Sequence, residues 1–187
     1  NSVAMFNDIF ETMKSKQESL VKENKEQSRT NEPLAKQVAE LQQYSRMNNV
    51  EIKGVPETKG ESCEAILQQI ADKIGCPVSP AEIDVVHRVS AKSGSNIIAR
   101  FCSRRKKIKF ASKARKARLT TRYIAMMNQD KPIFVNDHLA PENKRVFAQA
   151  LALKKEKQWQ FLWVDNCRIK ARKSTDSRVY RISGVSD

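Results

Sequence analysis

The sequence predicts an α+β protein with three parts in chain order. An N-terminal coiled-coil helix is expected over residues 1–48, a βαββαβ domain over residues 49–135, and a small α+β domain over residues 136–187. Three observations support this division. Heptad spacing runs through the first part, short apolar runs alternate with helical patterns in the second, and a further helix followed by short strands closes the chain.

The first part has the spacing of a coiled coil. A seam in which apolar side chains recur every 3.5 residues needs a partner helix, and polar Asn layers in it fix register at a cost in stability. The alternative is an amphipathic helix folded onto its own domain, and Pro33 predicts a kink or a break. The a and d residues do not decide between a dimer and a trimer. The predicted oligomerisation residues are Val3, Phe6, Phe10, Met13, Leu20, Asn24, Asn31, Leu34, Val38 and Leu41.

The second part predicts four strands and two helices in the order βαββαβ. Strands are expected at 50–55, 83–89, 96–102 and 133–135, and helices at 62–74 and from 104 to about 119. This order is that of ferredoxin-like and RNA-recognition-motif domains. The third strand, NIIARFC, lacks the aromatic pattern with which standard RNA-recognition motifs stack bases. Contacts to a nucleic-acid backbone are therefore expected rather than base reading on that sheet.

The third part predicts a helix from 141 to about 158 and three short strands at 161–164, 168–171 and 179–182. Asp165 and Asn166 are expected to turn the first hairpin. Four aromatic residues lie in this part. We expect them to form its core, and base stacking is the alternative for some of them. They are Trp159, Phe161, Trp163 and Tyr180.

Charge is concentrated behind the coiled-coil part. The 187 residues include 35 Lys/Arg and 21 Asp/Glu, a net charge of +14. Residues 1–45 hold 6 basic and 7 acidic side chains, whereas residues 46–187 hold 29 and 14. Such an excess predicts a polyanionic partner, either nucleic acid or an anionic membrane surface. No apolar run reaches the length of about 18 residues that a membrane span needs.

Two basic clusters stand out. The run from Arg100 to Arg122 holds eleven Lys/Arg and no acidic residue. On a helix one stripe would collect Arg105, Lys109, Lys113 and Lys116, and the opposite apolar side would hold Phe110, Ala111, Ala114 and Ala117. Alternation over residues 168–172 places three further charges on one strand face. From charge alone the predicted nucleic-acid-binding residues are Arg100, Arg104, Arg105, Lys109, Lys113, Arg115, Lys116, Arg168, Lys170 and Arg172.

Catalytic and metal-binding patterns are absent from the sequence. Two histidines and four widely spaced cysteines give no zinc-ligand spacing, and there is no Gly-rich phosphate loop or nucleophile elbow. We therefore expect no enzyme activity, no metal and no cofactor. The cysteines are expected to be reduced thiols of an intracellular protein. Asp137 is interpreted as a turn or capping residue.

Several short motifs resemble the first-reading-frame proteins of LINE-type (non-LTR) retrotransposons. In those proteins a junction like Arg46–Pro56 (RMNNVEIKGVP) joins a coiled coil to an RNA-recognition-like domain. The likeness continues through His87-Arg88-Val89, Asn96–Phe101, Ala111–Arg115, Lys131-Pro132-Ile133 and Asn143–Arg145. The tail from Pro132, with its later run Asn166–Lys170, resembles the C-terminal domain of baculovirus few-polyhedra (FP) proteins.

The resemblance implies a parallel homotrimer without enzymatic activity that coats element RNA and acts as a nucleic-acid chaperone. The partner would be single-stranded RNA, with single-stranded DNA as the alternative. The ribonucleoprotein would be cytoplasmic, with the nucleus as a further location. Family RNA contacts match Arg46, Arg88, Arg115, Lys144 and Arg145. The alternative is a viral or host structural or trafficking protein whose basic face binds an acidic protein or a membrane.

Overall fold

The computed structural model describes residues 2–91, 94–124 and 130–184, and its architecture is α+β, as predicted. The chain divides into two compact units, Asn1–Leu41 and Gln42–Asp187. The boundaries predicted for three domains stay a prediction. None of the described helices is both long and apolar enough to cross a membrane.

The N-terminal helix, α1, spans Ser2–Tyr44 and is 43 residues long. It continues through Pro33, so the predicted break is wrong, and the alternative of a kink stays a prediction. Pro33 removes one backbone N–H donor from the helix, and the residues on either side of it remain helical. Gln43 is the one buried residue of the helix. The apolar side chains of the predicted seam are exposed, by 69% for Phe6 and 68% for Leu41.

Four antiparallel strands form the larger sheet: β1 (Asn49–Lys53), β2 (Ile83–Ala91), β3 (Gly94–Phe101) and β4 (Phe134–Asp137). Their spatial order is β2-β3-β1-β4, so β1 and β3 are central. Helix α2 (Cys63–Lys73) joins β1 to β2, and α3 (Arg104–Ala117) joins β3 to β4. The predicted βαββαβ order is therefore confirmed.

One face of this sheet packs against α2 and α3. Alternate strand residues such as Val50, Ile97 and Phe101 are fully buried there with Phe110 of α3. The helices begin at serine caps, because the Ser62 and Ser103 hydroxyls accept the backbone N–H groups three residues further on. Gly54, at φ +87°, ends β1 where an added Cβ would collide with the Pro132 carbonyl.

The opposite face of the sheet is covered around β1. Glu51 and Ile98 are 5% and 2% exposed although both point away from the helices. The Lys144 ammonium lies 3.1 Å from the Glu51 carboxylate, and the Asn96 amide donates to the same oxygen at 3.0 Å. Lys144 belongs to the C-terminal helix, so that helix closes over the part of the sheet where a standard RNA-recognition motif stacks bases.

The C-terminal part contains α4 (Pro141–Glu156), which packs on a three-stranded antiparallel sheet. Its strands are β5 (Phe161–Asp165), β6 (Arg168–Arg172) and β7 (Tyr180–Ile182), in that spatial order. The buried side chains at this contact include Val146, Ala150, Ile169 and Ala171. Short 3-10 turns, Pro80–Glu82 and Thr121–Ile124, connect elements of the larger domain.

Candidate nucleic-acid interface

The basic side chains of helix α3 point in four directions. Residues three, four or seven positions apart share a face of a helix, so the run from Arg104 divides into separate stripes rather than one basic surface. The apolar side is buried through Phe110, Ala111 and Ala114. Ala117, expected on that side, is exposed because it lies at the end of the helix.

Lys107 points into the interior and is fully buried, which the sequence analysis did not predict. Its ammonium forms an ion pair with Asp137, the last residue of β4, and Arg115 binds the second carboxylate oxygen of Asp137 at 2.9 Å. Burial raises the pKa of Asp137, but the charges and hydrogen bonds of Lys107 and Arg115 outweigh it, so that pKa lies below its ordinary value. Asp137 is thus the centre of a buried ion triad, and the turn or capping interpretation is wrong.

Lys106 and Lys113 point toward the loop that follows α2. The Lys106 ammonium lies 2.8 Å from Glu82 and donates to the Pro77 carbonyl at 2.7 Å. The Lys113 ammonium donates to the carbonyl oxygen of Gly75, just beyond the end of α2. Lys113 was predicted to share a stripe with Lys109, but its charge is engaged on this other flank.

Arg105, Lys109 and Lys116 form the outward stripe and are all exposed. In the described part of the chain no carboxylate lies within ion-pair distance of any of the three. Nothing intramolecular therefore offsets their mutual repulsion, which is typically a few tenths of a kcal/mol for each close pair on a helix. We call these three residues the outward stripe.

Arg104 and Arg115 lie on the fourth flank, which faces the C-terminal part. The Arg104 guanidinium is 5.3 Å from the ring of Tyr44, and its Nε donates to Asn48 at 3.5 Å. The guanidinium thus meets the segment that joins α1 to β1. Arg115 remains 38% exposed although one of its nitrogens binds Asp137.

The β5–β6 turn docks against this same flank of α3. Asn166 and Cys167 both have positive φ, 48° and 61°, as the two central residues of a tight hairpin turn do. The Cys167 thiol is 3.9 Å from the Lys107 ammonium. Burial raises the pKa of that thiol to about 11, against the opposing charges of Lys107 and Arg104. The turn therefore lies against α3, and Arg168, the first residue of β6, follows it directly.

Strand β6 has the alternation that the sequence predicted. Ile169 and Ala171 are buried toward α4, and Arg168, Lys170 and Arg172 share the opposite face. Lys170 forms an ion pair with Asp165 at 2.5 Å. Cross-strand pairs bring β5 side chains onto the same face, with Phe161 opposite Arg172 and Trp163 opposite Lys170.

The aromatic residues of the C-terminal part divide between its two sides. Trp159 packs against Tyr180 with ring centroids 5.5 Å apart, on the side that faces α4. Phe161 is 39% exposed on the opposite side, with the Arg172 guanidinium 5.1 Å from its ring, and Trp163 is partly exposed there. The expectation that all four form a core is therefore wrong for Phe161 and also for Tyr180, which is 48% exposed.

Arg88, matched by resemblance to an RNA contact, is engaged inside the domain. Its guanidinium pairs with Glu61 at 2.5 and 2.9 Å and donates to the carbonyls of Val55 and Pro56. The side chain is 13% exposed. The hydrogen bond from Arg88 is the leading cause that lowers the pKa of Glu61. Arg88 thus ties β2 to the segment between β1 and α2.

The remaining cations that were predicted to contact RNA occupy mixed environments. Arg46 donates to the Gln42 carbonyl at 2.6 Å, at the end of α1, and Arg145 pairs with Glu142 while 66% exposed. Arg100 pairs at 3.1 Å with Asp84, and both side chains are 52% exposed. Lys144 reaches Glu51 over the sheet. These four cations therefore interact with α1, α4 or the larger sheet rather than with the β5–β6 turn that contacts α3.

No metal centre is formed by the residues at 2–91, 94–124 and 130–184, where no three His, Cys, Asp or Glu side chains are close enough to hold an ion. The four cysteines are free thiols. His138 is partly buried, with its Nδ1 3.2 Å from the Asn49 amide. Burial lowers the pKa of His138 to about 4, so its ring is neutral near neutral pH.

Comparison with known proteins gives a family match for one part of the chain. Residues 140–187 match the family model described as Baculovirus FP protein domain 2. The predicted FP-like character of the C-terminal segment is confirmed over those residues, which comprise α4 and the three-stranded sheet. No curated protein matches the chain.

Proposed function

We propose that this chain is an oligomeric, non-enzymatic protein that binds single-stranded RNA through the outward stripe of α3 and the cations of β6. The observation that carries the proposal is the docking of Cys167 beside Lys107. This contact joins α3, which carries one basic cluster, to the hairpin that carries the other, within one folded unit. A phosphate backbone can follow cations from both elements at once.

The distribution of paired and unpaired charges favours a polyanion at this surface. Buried Lys107 is neutralised inside the fold, whereas the outward stripe has no acidic neighbour in the described residues. Binding phosphates would relieve the repulsion and release counterions, which makes affinity depend strongly on salt. Arg168 extends the charge beyond the helix, and Arg104 and Arg115 lie between the two clusters.

Self-association through α1 is the second element of the proposal. A helix of 43 residues with exposed apolar side chains at heptad positions has a seam that a second copy of the helix can cover. Several copies of a weak RNA-binding surface on one stalk would raise avidity through effective concentration. A homotrimer is the state that the likeness to LINE-type proteins suggests.

The same likeness suggests the biological setting. A helix, a βαββαβ domain and an FP-like segment follow one another in this chain, and the junction RMNNVEIKGVP lies between the first two. We propose a retroelement-type protein that coats RNA as a nucleic-acid chaperone, in a ribonucleoprotein of the cytoplasm and of the nucleus as well.

Fluorescence anisotropy with a labelled oligouridylate at several salt concentrations tests the RNA proposal. The variant Lys109→Ala/Lys116→Ala removes two unpaired charges, and Lys106→Ala/Lys113→Ala removes the same charge from the neighbouring flank of the helix. For single strands each lost phosphate contact lowers the log–log salt slope by about 0.7. The first variant should lose about 1.4 in slope, and the control should keep the wild-type slope.

Either of two results would overturn the RNA proposal. The first is that the wild-type chain does not bind the oligonucleotide near physiological salt. The second is that the two double variants have the same affinity and the same salt slope. Binding to anionic vesicles without binding to RNA would instead favour the trafficking alternative.

Light scattering tests the stalk with two adjacent residues. Phe6 lies at a predicted seam position and Met5 does not, yet they are similarly exposed, by 69% and 67%. Phe6→Glu should shift the chain toward monomer, because the charge would lie in the apolar seam. Met5→Glu should leave the mass unchanged. Equal behaviour of the two variants would contradict the proposed coiled coil.

A further inference from the structure

We infer that the outer face of the three-stranded sheet is a stacking platform for unpaired bases, an inference that rests on the proposed RNA binding and specifies the ligand. Rows from the three strands make up this face. Phe161 and Trp163 come from β5, and basic side chains come from β6 and β7. The occupant is single-stranded nucleic acid rather than duplex, because only unpaired bases expose their faces to a ring.

Strand register makes the platform. Ile169 and Ala171 are 3% and 2% exposed, so the alternation along β6 directs every second side chain to the other side. The pairs Phe161–Arg172 and Trp163–Lys170 therefore lie on the outer face, side by side. Arg181 of β7 is the partner of Lys170 on the third strand, which adds another cation to the same level.

The face combines the two chemistries that single-strand binding needs. Aromatic rings stack on bases of any sequence, and cations beside them hold the phosphates that connect successive bases. Arg172 provides the clearest case, because its guanidinium lies 5.1 Å from the Phe161 ring and its Nε is buried without a hydrogen-bond partner. Asp165, paired with Lys170, is the one carboxylate among the residues named on this face.

The larger sheet lacks this arrangement at its centre. Its corresponding face carries Glu51 and Ile98, which are nearly inaccessible, and Lys144 closes over Glu51. Its exposed aromatic ring, Phe134, lies on the edge strand β4 and is 56% exposed. Lys53 of β1 is the cross-strand partner of Phe134, and the Lys53 ammonium lies 3.6 Å from the Glu51 carboxylate. Phe134 therefore offers a matched control of greater exposure than Phe161.

Binding of oligouridylate by Phe161→Leu, Phe161→Tyr and Phe134→Leu tests the inference. Loss of one stacked ring should weaken binding about 5- to 150-fold, the range for a stacked base. The salt slope should not change, because leucine removes no charge. Phe161→Tyr should retain affinity, and Phe134→Leu should match wild type. Thermal melting checks that each variant is folded.

A second probe separates this inference from the proposed function. An oligonucleotide with abasic sugars keeps the phosphates but has no bases to stack. Wild type should bind it more weakly than oligouridylate, and Phe161→Leu should cause no further loss. If wild type binds oligouridylate and Phe161→Leu binds it equally well, the platform is wrong while the RNA proposal stands. If wild type binds neither oligonucleotide, both fail.

Discussion

Two sets of basic side chains from the same stretch of chain behave differently in this protein. Lys107 and Lys113 are engaged by acceptors of the fold, whereas Lys109 and Lys116, only a few residues away, have no acidic partner in the described residues. The first pair is part of what holds the elements together, and the second contributes repulsion alone. A basic run in a sequence is therefore not a single functional unit, and direction on the helix separates stability from binding.

The largest effect on stability is expected at the buried triad. Asp137→Asn leaves the fully buried Lys107 ammonium without its main counter-charge, which should cost about 3–5 kcal/mol of unfolding free energy. Urea denaturation measures this loss. Asp84→Asn is the control, because Asp84 pairs with Arg100 at the surface and should cost less than about 1 kcal/mol. Similar losses for both variants would contradict the assigned burial.

The next effect is a loss of stability in mild acid. The folded pKa of His138 is about 4, below its ordinary value of 6.5, so the unfolded chain takes up a proton first as the pH falls. Unfolding free energy should therefore decline between pH 6.5 and 4, by about 3 kcal/mol at most from this group. The charges that act on the ring are Glu51, which raises its pKa, and Lys144, Arg46 and His87, which lower it.

His138→Gln isolates this contribution. The variant should show a flatter stability profile over the same pH range, because the titrating ring is gone. Below that window Glu61 and Asp137, whose folded pKa values are lowered, also lose stabilising charge as the pH falls through those values. An unchanged profile between pH 6.5 and 5 would show that His138 does not govern this range.

A smaller loss is expected for Arg88. Arg88→Ala removes the paired contacts to Glu61 and leaves that carboxylate, 8% exposed, without its partner. The expected cost is about 2 kcal/mol, typical of hydrogen bonds to a charged group. Arg100→Ala, which opens an exposed ion pair, should cost at most about 1 kcal/mol. If Arg88→Ala reduced RNA affinity without affecting thermal melting, Arg88 would be an RNA contact instead.

The smallest effect on stability belongs to the outward stripe. Lys109→Ala/Lys116→Ala should change unfolding free energy by no more than about 0.5 kcal/mol, because neither side chain has a partner to lose. The same variant should nevertheless weaken RNA binding. A marked loss of stability would mean that these lysines belong to the set engaged by the fold.

Sequence patterns predicted the elements better than the environments of the charges. Apolar periodicity located α2, α3, α4 and the seven strands of the described residues to within a few positions, since burial on one face determines that pattern. Lys107 was missed because its partner Asp137 lies thirty positions away in sequence, and pairing across that distance leaves no local signal. Phe161 was expected in the core because the alternation along β5 does not show which of its two faces packs against α4. That choice depends on the pairing of β5 with β6.

Photocrosslinking of a 4-thiouridine oligonucleotide to the full chain, followed by mass spectrometry of the peptides, tests the central claim most directly. The account predicts adducts from the outward stripe of α3 and from β5 and β6 in the same preparation, at both low and physiological salt. Adducts confined to α1, or to strands β1 to β4, would contradict it.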